Sequence, residues 1–327
     1  MEALTLINLE AVAARLQGLV RRTPCITFSR TQSVAAFGLD AELVFKLELL
    51  QVTGTFKARG ALATLLSLTP DQRRNGVTTF SAGNHAIAVA FAARETGVAA
   101  SVFMPQSSNS RRVELARSFG AEIVLTADGP SAYAGATELA RRESRYLVHP
   151  FEGPGPVSGT ASVGLEWLEQ AGPLDAVVIA VGGGALIAGV GSALRAKGAS
   201  TRIYGAEPIG AAGMHRSLAA GAPLQLDEVA TIADSLAPPM TTPYTFDVCR
   251  RVVTEVSLVH DREIEAAMAR IVSELKLAVE PAGAAALAAA RAPLRQRLEG
   301  RRVGILICGS NIDLTTFARH IEHAQER

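Results

Sequence analysis

Short, continuous runs of apolar residues alternate along the chain with alanine-rich stretches that carry apolar residues at helical spacing. Such runs, rich in β-branched residues, are typical of strands buried on both faces of a parallel sheet. Strand alternating with helix predicts the α/β class, with open, mostly parallel twisted sheets flanked by helices. The predicted strands lie at 41–48, 76–81, 99–105, 121–126, 145–150, 175–181, 201–208 and 302–309.

One uncharged stretch has almost the length of a membrane span. Residues 177–194 form a run of 18 residues without a charge, which is at the lower edge of what crosses a bilayer. Three glycines instead divide it into a buried strand, VVIAV, and a helix that ends near Lys197 and Gly198. We therefore expect no membrane partner.

The charge of the chain is nearly balanced. With 32 Lys and Arg against 31 Asp and Glu, no global field attracts nucleic acid or an anionic membrane, and a small neutral or zwitterionic ligand is expected. The first ten residues, MEALTLINLE, lack a basic segment followed by an apolar run, as a secretory signal would have. Three widely spaced cysteines form neither a disulfide framework nor a zinc cluster. These features predict a cytoplasmic protein with reduced thiols.

The length of 327 residues predicts about two domains rather than one. A Gly/Pro cluster at 151–159 marks the clearest boundary, and a second boundary lies near residues 49–54. In open parallel sheets, ligands bind outside the carboxyl ends of the strands, at loops that lead into helices. Loops of unusual composition at such places are QVTGTFKARG, SAGNHA, GGGALIAG and CGSNID.

The loop GGGALIAG predicts a phosphate site. Successive glycines let backbone amides turn toward one point, and the helix that follows adds the positive end of its dipole. One alternative is a tight turn that needs glycine for steric reasons alone. Another is dinucleotide binding, with Glu207 as the ribose-binding acid, but Gly182, Gly183 and Gly184 are contiguous and do not meet the GxGxxG spacing.

The loop SAGNHA brings a hydroxyl, an amide and an imidazole to a helix start, on Ser81, Asn84 and His85. Free backbone N–H groups at such a position suit a carboxylate or a ring oxygen. The alternative is an N-cap, in which Ser81 or Asn84 caps the helix and His85 is exposed.

Lys57 is the third candidate, because a lysine amine can act covalently when its surroundings lower its pKa or when it condenses with an aldehyde. Phe56, Thr53 and Thr55 predict a partly desolvated, uncharged setting, and Arg59 is a candidate second cation. A surface lysine in a first helical turn is the alternative. A lysine, a glycine cradle and an asparagine loop are together what pyridoxal 5'-phosphate (PLP) requires.

Several separated motifs agree in order across nearly the whole chain: LELLQVTGTFKARGA, SAGNHAIAVA, AVGGGALIAGV, GAEP, TIADSL and CGSNID. They resemble the PLP-dependent threonine/serine dehydratase family, which is of fold type II, like tryptophan synthase β, and includes serine racemases and phenylserine dehydratases. The resemblance implies a large domain of residues 1–49 and 150–327, a small inserted domain of residues 50–149, and PLP in the cleft between them.

The same resemblance implies the roles of individual residues. Lys57 would form the Schiff base with the cofactor, and the catalytic groups would be Lys57, Ser81 and His85. The cofactor would be held by Phe56, Lys57, Asn84, Gly182, Gly183, Gly184, Ala185, Leu186 and Cys308. The substrate would be received by Ser81, Ala82, Gly83, Asn84, His85 and Ser235.

Glu207, in GAEP, matches the acid that ligates a divalent cation in the racemase-like members of the family. Their second acid falls near Gly213, where this chain has no replacement. One carboxylate is poor for Mg²⁺ or Ca²⁺, which need several oxygen ligands. A monovalent or divalent cation at Glu207 is one interpretation, and a structural carboxylate is the other.

The implied reaction is the PLP-dependent β-elimination of a β-hydroxy amino acid to a 2-oxo acid and ammonia, by a lyase that acts as a homodimer or homo-oligomer. The apolar segment 234–246, with Met240 and Phe246, favours a substrate bulkier than threonine or serine, such as phenylserine. The racemases of the family carry a serine base where this chain has Ala82, and a methyl group cannot accept a proton. The alternatives are a racemase, a β-replacement enzyme of the cysteine-synthase kind, and a non-enzymatic PLP- or NAD-binding regulator.

Overall fold

The computed structural model describes residues 4–325. The outer limits of the predicted large domain, and the first three residues of the start that predicts a cytoplasmic protein, lie outside this range. The strands of the described range are β1 (Cys25–Phe28), β2 (Glu42–Lys46), β3 (Val77–Phe80), β4 (Ala100–Pro105), β5 (Glu122–Thr126), β6 (Tyr146–Leu147), β7 (Ala176–Ala180), β8 (Arg202–Pro208), β9 (Glu255–Val259) and β10 (Arg302–Leu306).

At least one helix lies between each consecutive pair of these strands, as the alternating pattern predicts. They are α1 (Leu6–Leu16), α2 (Arg30–Phe37), α3 (Lys57–Leu66), α4 (Pro70–Asn75), α5 (Asn84–Thr96), α6 (Ser110–Ser118), α7 (Gly129–Glu143), α8 (Pro154–Ala171), α9 (Ala185–Ala196), α10 (Gly213–Ala220), α11 (Pro243–Val252), α12 (Asp261–Leu275), α13 (Pro281–Arg291), α14 (Arg295–Leu298) and α15 (Leu314–Gln325). Three short 3₁₀ turns lie at Glu48–Leu50, Ile209–Ala211 and Asp234–Leu236.

The strands form two separate sheets. The larger is six-stranded, in the order β1-β2-β10-β7-β8-β9, and the smaller is four-stranded, in the order β5-β4-β3-β6. Pairing is parallel throughout except between β1 and β2. The predicted α/β class with two mostly parallel sheets is confirmed.

Strands β1 and β9 were not predicted from the sequence, and both are edge strands of the larger sheet. An edge strand is not buried on both faces, so it lacks the continuous apolar run that marks a central strand. In the short β1 the two end residues are partly buried and the two middle residues are exposed. The run predicted at 145–150 is also longer than the two-residue strand β6.

The strands of the smaller sheet lie within residues 77–147, inside the predicted small domain. The Gly/Pro cluster at 151–159 is not all loop, because α8 begins at Pro154 inside it. The domain limits at residues 49/50 and 149/150 stay a prediction. The uncharged run 177–194 is divided between β7 and α9, and none of the helices between residues 4 and 325 is long and apolar enough to cross a membrane.

Helix α8 packs against both α3 and α9, and glycines lie at both contacts. A Cβ at Gly159 of α8 would lie 2.4 Å from the backbone oxygen of Arg59 in α3. A Cβ at Gly189 of α9 would lie 2.2 Å from Oγ1 of Thr160 in α8. Thr160 also donates a hydrogen bond of 2.8 Å to the carbonyl of Ala185, the first residue of α9. The three helices are therefore held at fixed, close separations.

Candidate active site

All four loops singled out in the sequence contribute residues to one cavity, the fourth through Cys308. The sequence-predicted residues that line it are Phe56, Lys57, Asn84, Gly182, Gly183, Gly184, Ala185, Leu186, Ser235 and Cys308. Residues that were not predicted to line it include Phe151, Leu236 and Glu280. The structure thus brings together, from distant parts of the sequence, most of the groups expected to hold the cofactor.

Lys57 is the first residue of α3, and its side chain is partly buried. Its Nζ atom donates to the carbonyl oxygen of Pro150 at 2.8 Å and lies 5.3 Å from the centre of the Phe56 ring. Burial lowers the pKa of the Lys57 amine to about 8, against a weaker opposing effect of Cys308. A substantial fraction of this amine is therefore neutral, and so nucleophilic, at mildly alkaline pH.

Arg59 does not act as a second cation beside Lys57, so that expectation is wrong. Its guanidinium is buried and forms ion pairs with Glu48 at 2.7 Å and Glu166 at 2.9 Å. Glu166 in turn pairs with Lys46 at 2.6 Å. Because these carboxylates compensate its charge, Arg59 fixes α3 to the turn after β2 and to α8 rather than lowering the pKa of Lys57.

The triple-glycine loop has no room for side chains. A Cβ at Gly183 would lie 2.2 Å from Cγ of Phe151, and Gly184 has a φ of +96°, which favours glycine. Helix α9 follows directly and has no side-chain cap, so its first N–H groups keep no side-chain acceptor. Uncapped amides at the positive end of a helix suit an anion, and this loop fits the phosphate of PLP.

Asn84 is fixed by a buried carboxylate that sequence reasoning missed. Its Nδ2 donates to Oε1 and Oε2 of Glu280 at 2.8 and 3.1 Å, and its Oδ1 accepts from Asn311 at 2.8 Å. Burial raises the pKa of Glu280 to about 7, although Arg112, at 3.6 Å, and Asn84 act in the opposite direction. The segment EPAGA, an acid before an alanine-rich helix, was the available signal for Glu280.

His85 lies in a smaller adjoining cavity, which also borders Phe56, Lys57 and His149. The alternative with an exposed His85 and a side-chain cap from Ser81 or Asn84 is wrong, because His85 is buried and α5 has no side-chain cap. Nε2 of His85 lies 3.1 Å from the carbonyl oxygen of Val148. Burial, with a smaller effect of the Lys57 charge, lowers the pKa of His85 to about 3. Its imidazole is therefore neutral.

Ser81, Ala82 and Gly83 are not among the lining residues of these two cavities. Ser81 accepts a hydrogen bond from the backbone N–H of Gly83 at 3.1 Å. A Cβ at Gly83 would lie 2.8 Å from the guanidinium of Arg112, which pairs with Asp234 at 2.6 Å. The loop thus packs against the Arg112–Asp234 ion pair, which joins α6 to the segment around residue 234.

Cys308 is buried at the carboxyl end of β10, and its carbonyl accepts from the N–H of Phe56 at 3.3 Å. Burial raises the pKa of its thiol, so the group is neutral. Of the apolar residues expected to face the substrate, Phe246 is buried in the core and Met240 is exposed. Neither borders the two cavities, so the argument for a bulky substrate from these two residues is wrong.

Glu207 is fully buried at the end of β8, and its two oxygens accept from the N–H groups of Met214 and His215, both at 2.8 Å. Burial raises its pKa to about 8. Within residues 4–325, Glu207 belongs to no group of three or more His, Cys, Asp or Glu side chains placed to hold a metal. The cation at this position stays a prediction, and the structural alternative accounts for both hydrogen bonds.

Comparison with known proteins gives a consistent result. A family model described as "Pyridoxal-phosphate dependent enzyme" matches residues 16–309. The chain is 47% identical to phenylserine dehydratase from Ralstonia pickettii, over 98% of each protein. It is 38% identical to L-threonine ammonia-lyase from Geobacter sulfurreducens, over 94% of this chain and 76% of that protein. The structure of maize serine racemase superposes with a TM-score of 0.90, at 35% identity and 98% coverage of both chains.

Proposed function

We propose that this chain, which belongs to the pyridoxal-phosphate dependent enzymes, is an ammonia-lyase that removes the β-hydroxyl group of a bulky, aryl-bearing amino acid such as phenylserine. PLP-dependent β-elimination as the reaction class follows from the relatives, among them ammonia-lyases that match nearly the whole chain. The observation that carries the assignment in this molecule is that a lysine with a lowered pKa lines the same cavity as the triple-glycine loop.

When bound, PLP supplies an electron sink that acidifies the Cα–H bond of an amino acid. We propose that Gly182, Gly183, Gly184 and the start of α9 hold its phosphate, since these amides have no side-chain partner. Asn84, oriented by Glu280, would hold its ring oxygen. Phe56 and Cys308 lie in the same cavity and would border its ring.

Lys57 is the base that we propose for the Cα proton. Its Nζ accepts a proton only when neutral, and burial keeps its pKa near 8 rather than 10.5. The carbonyl oxygen of Pro150 accepts a hydrogen bond from Nζ, which fixes the position of the amine before PLP binds.

His85 is a poor proton donor, because its pKa lies near 3 and its Nε2 faces the Val148 carbonyl. We propose that His85 orders the loop around Ser81 and that the backbone amides of this loop receive the substrate carboxylate. The catalytic role of Ser81 remains a proposal, since its hydroxyl is turned toward the N–H of Gly83.

The choice of an aryl substrate rests on the 47% identity to phenylserine dehydratase over 98% of each protein. The smaller cavity adjoins Lys57, and its walls include the apolar residues Phe56, Ala61, Val148 and Pro156. Its volume of about 10 Å³ has room for about one water molecule, so a phenyl group on Cβ would have to lie in the larger cavity.

The test is a 2-oxo acid assay with threo-phenylserine, threonine, serine and 3-hydroxyaspartate. We expect kcat/KM for phenylserine to exceed that for threonine by at least about tenfold, or about 1.4 kcal/mol of transition-state stabilisation. Lys57→Ala should abolish turnover and the absorbance of bound cofactor together. Chiral analysis of serine, and cysteine formation from O-acetylserine and sulfide, examine the racemase and β-replacement alternatives. Turnover by either route without 2-oxo acid would refute the proposal.

We further propose that the enzyme is a cytoplasmic homodimer or larger homo-oligomer. The three cysteines are unpaired, as expected of a protein that folds under reducing conditions. Light scattering of the purified holoenzyme would measure the number of copies, and a monomeric mass would contradict the proposal.

A further inference from the structure

Two histidines and a glutamate converge where α15 packs on α12, and none of them borders the two cavities. His320 and His323 are three residues apart on α15, so they lie on one face of that helix. Glu265 projects from α12. From this cluster we infer a second site, separate from the PLP site, that binds one Zn²⁺ ion per chain through Glu265, His320 and His323.

The distances within the cluster match those between ligands of one metal ion. The Nδ1 atoms of His320 and His323 lie 3.0 and 3.3 Å from the same atom, Oε1 of Glu265. The three ligand atoms all lie within 4.8 Å of one another. Ligands about 2.0–2.2 Å from a tetrahedral Zn²⁺ ion are about 3.4 Å apart. The cluster therefore needs little movement to enclose the ion.

The burial of Glu265 is a second, independent observation. Its side chain is 10% exposed and stands on the same helix as the buried Ile264, Met268 and Ile271. The ion pairs and hydrogen bonds described for Glu265 are the two to imidazole nitrogens, which carry charge only when protonated. A buried carboxylate without a permanent cation is costly, and a divalent ion would supply the missing charge.

The most buried position of α15 is also occupied by a residue of this cluster, His320. His320 is its only buried residue within Leu314–Gln325, and the partly buried Phe317 and Ile321 flank it. An apolar side chain would be expected at such a position if it served packing alone. An imidazole there, facing a carboxylate of another helix, indicates that the metal tethers α15 to the body of the enzyme.

The donor set favours Zn²⁺ over Mg²⁺ and Ca²⁺. Two imidazoles and one carboxylate suit Zn²⁺, whereas Mg²⁺ and Ca²⁺ prefer oxygen ligands throughout. His323 is 49% exposed, so solvent reaches the cluster and a water molecule can complete four-coordination. This arrangement also distinguishes the cluster from Glu207, which is fully buried and has no imidazole ligand.

The test uses full-length holoenzyme that has been stripped with a chelator and desalted, and then titrated with ZnCl₂ in a calorimeter. We expect one saturable Zn²⁺ site per chain and a rise in Tm with Zn²⁺. Mg²⁺ should produce neither effect. His323→Ala should weaken Zn²⁺ binding at least about a hundredfold, since loss of an outer-shell partner alone costs 10- to 100-fold.

Glu322→Gln is the matched control, because residue 322 is exposed on the same turn of α15 and is outside the cluster. Its Zn²⁺ affinity should equal that of the wild type. Glu265→Gln retains an acceptor for an imidazole N–H but removes the charge, so it should also lose Zn²⁺ binding. Unchanged Zn²⁺ affinity in His323→Ala, or no saturable binding by the wild type, would overturn the site. Both readouts are independent of turnover, so a different substrate or reaction would leave this result standing.

Discussion

The side-chain amide of Asn84 donates to both carboxylate oxygens of Glu280, across 196 positions of sequence. Both residues line the cavity that we assign to PLP. Because Nδ2 of Asn84 is engaged in this way, its orientation depends on Glu280. The contact therefore links the SAGNHA loop to the start of α13.

Glu280→Ala should weaken PLP binding by roughly 5- to 150-fold. The reason is that the buried amide of Asn84 loses both carboxylate acceptors and keeps only Oγ of Ser235, at 3.2 Å. A missing partner for a buried amide costs about 1–3 kcal/mol. Fluorescence titration of apoenzyme with PLP would measure the effect. Glu299→Ala, which removes an exposed glutamate in the same part of the sequence, shortly before β10, is the control. Equal PLP affinity in wild type and Glu280→Ala would show that Asn84 needs no such support.

The capture of PLP by apoenzyme should become faster with rising pH, with a midpoint near 8. Below this pH the amine of Lys57 is protonated and cannot attack the aldehyde, whereas above it the neutral amine predominates. The rate should rise roughly tenfold between pH 7 and pH 9, as the neutral fraction of an amine of pKa 8 does. Stopped-flow absorbance would follow the reaction, and Lys57→Ala gives the background. A midpoint near that of a free lysine would contradict the lowered pKa.

Gly183→Ala should prevent normal PLP binding, because the added methyl group meets the ring of Phe151. Phe151→Ala removes that ring, so the double variant should recover part of the lost affinity. The two changes should be non-additive by about 0.5–3 kcal/mol. Gly129→Ala is the control, since a Cβ there meets no atom within 4 Å. Strictly additive losses of PLP affinity would mean that the Phe151 ring is not what excludes a side chain at position 183.

Arg59→Met should lower the free energy of unfolding by about 3–5 kcal/mol, because it leaves Glu48 and Glu166 buried with less compensation. Arg141→Met, which breaks an exposed pair with Glu138, should have little effect on stability, because solvent screens exposed ion pairs. Urea unfolding of both variants, at matched PLP saturation, measures the difference. Similar losses of unfolding free energy in the two variants would show that the buried ion pairs of Arg59 contribute little to stability.

The phosphate loop and the central strands could be predicted because their signals are local. Contiguous glycines directly after a fully apolar run identify both the strand β7 and the turn into α9. Lys57 alone carried no such signal, and its assignment needed the other loops and the family resemblance. Phe56, Thr53 and Thr55 indicated a partly desolvated, uncharged setting, and the lowered pKa of Lys57 arises from its burial at the start of α3.

The roles of Glu280 and Arg59 depend on contacts across the fold and could not be predicted from the sequence. Glu280 contacts Asn84 only because α13 begins beside the start of α5. Arg59 is two residues from Lys57 in sequence, but its side chain points to Glu48 and Glu166. Proximity in sequence suggested Lys57 as the neighbour of the Arg59 side chain. The packing of α3 on α8 instead places that side chain beside carboxylates.

Helix α8 sets the distance between the two ends of the proposed coenzyme site. It contacts α3, which begins with Lys57, and α9, which follows the triple glycine, through Gly159 and Gly189. The distance from the aldehyde to the phosphate in PLP is fixed by covalent bonds. Lys57 and the triple-glycine loop must therefore keep a constant separation. Because that separation is set by helices in direct backbone contact, a larger residue at position 159 or 189 would change the distance between Lys57 and the triple-glycine loop.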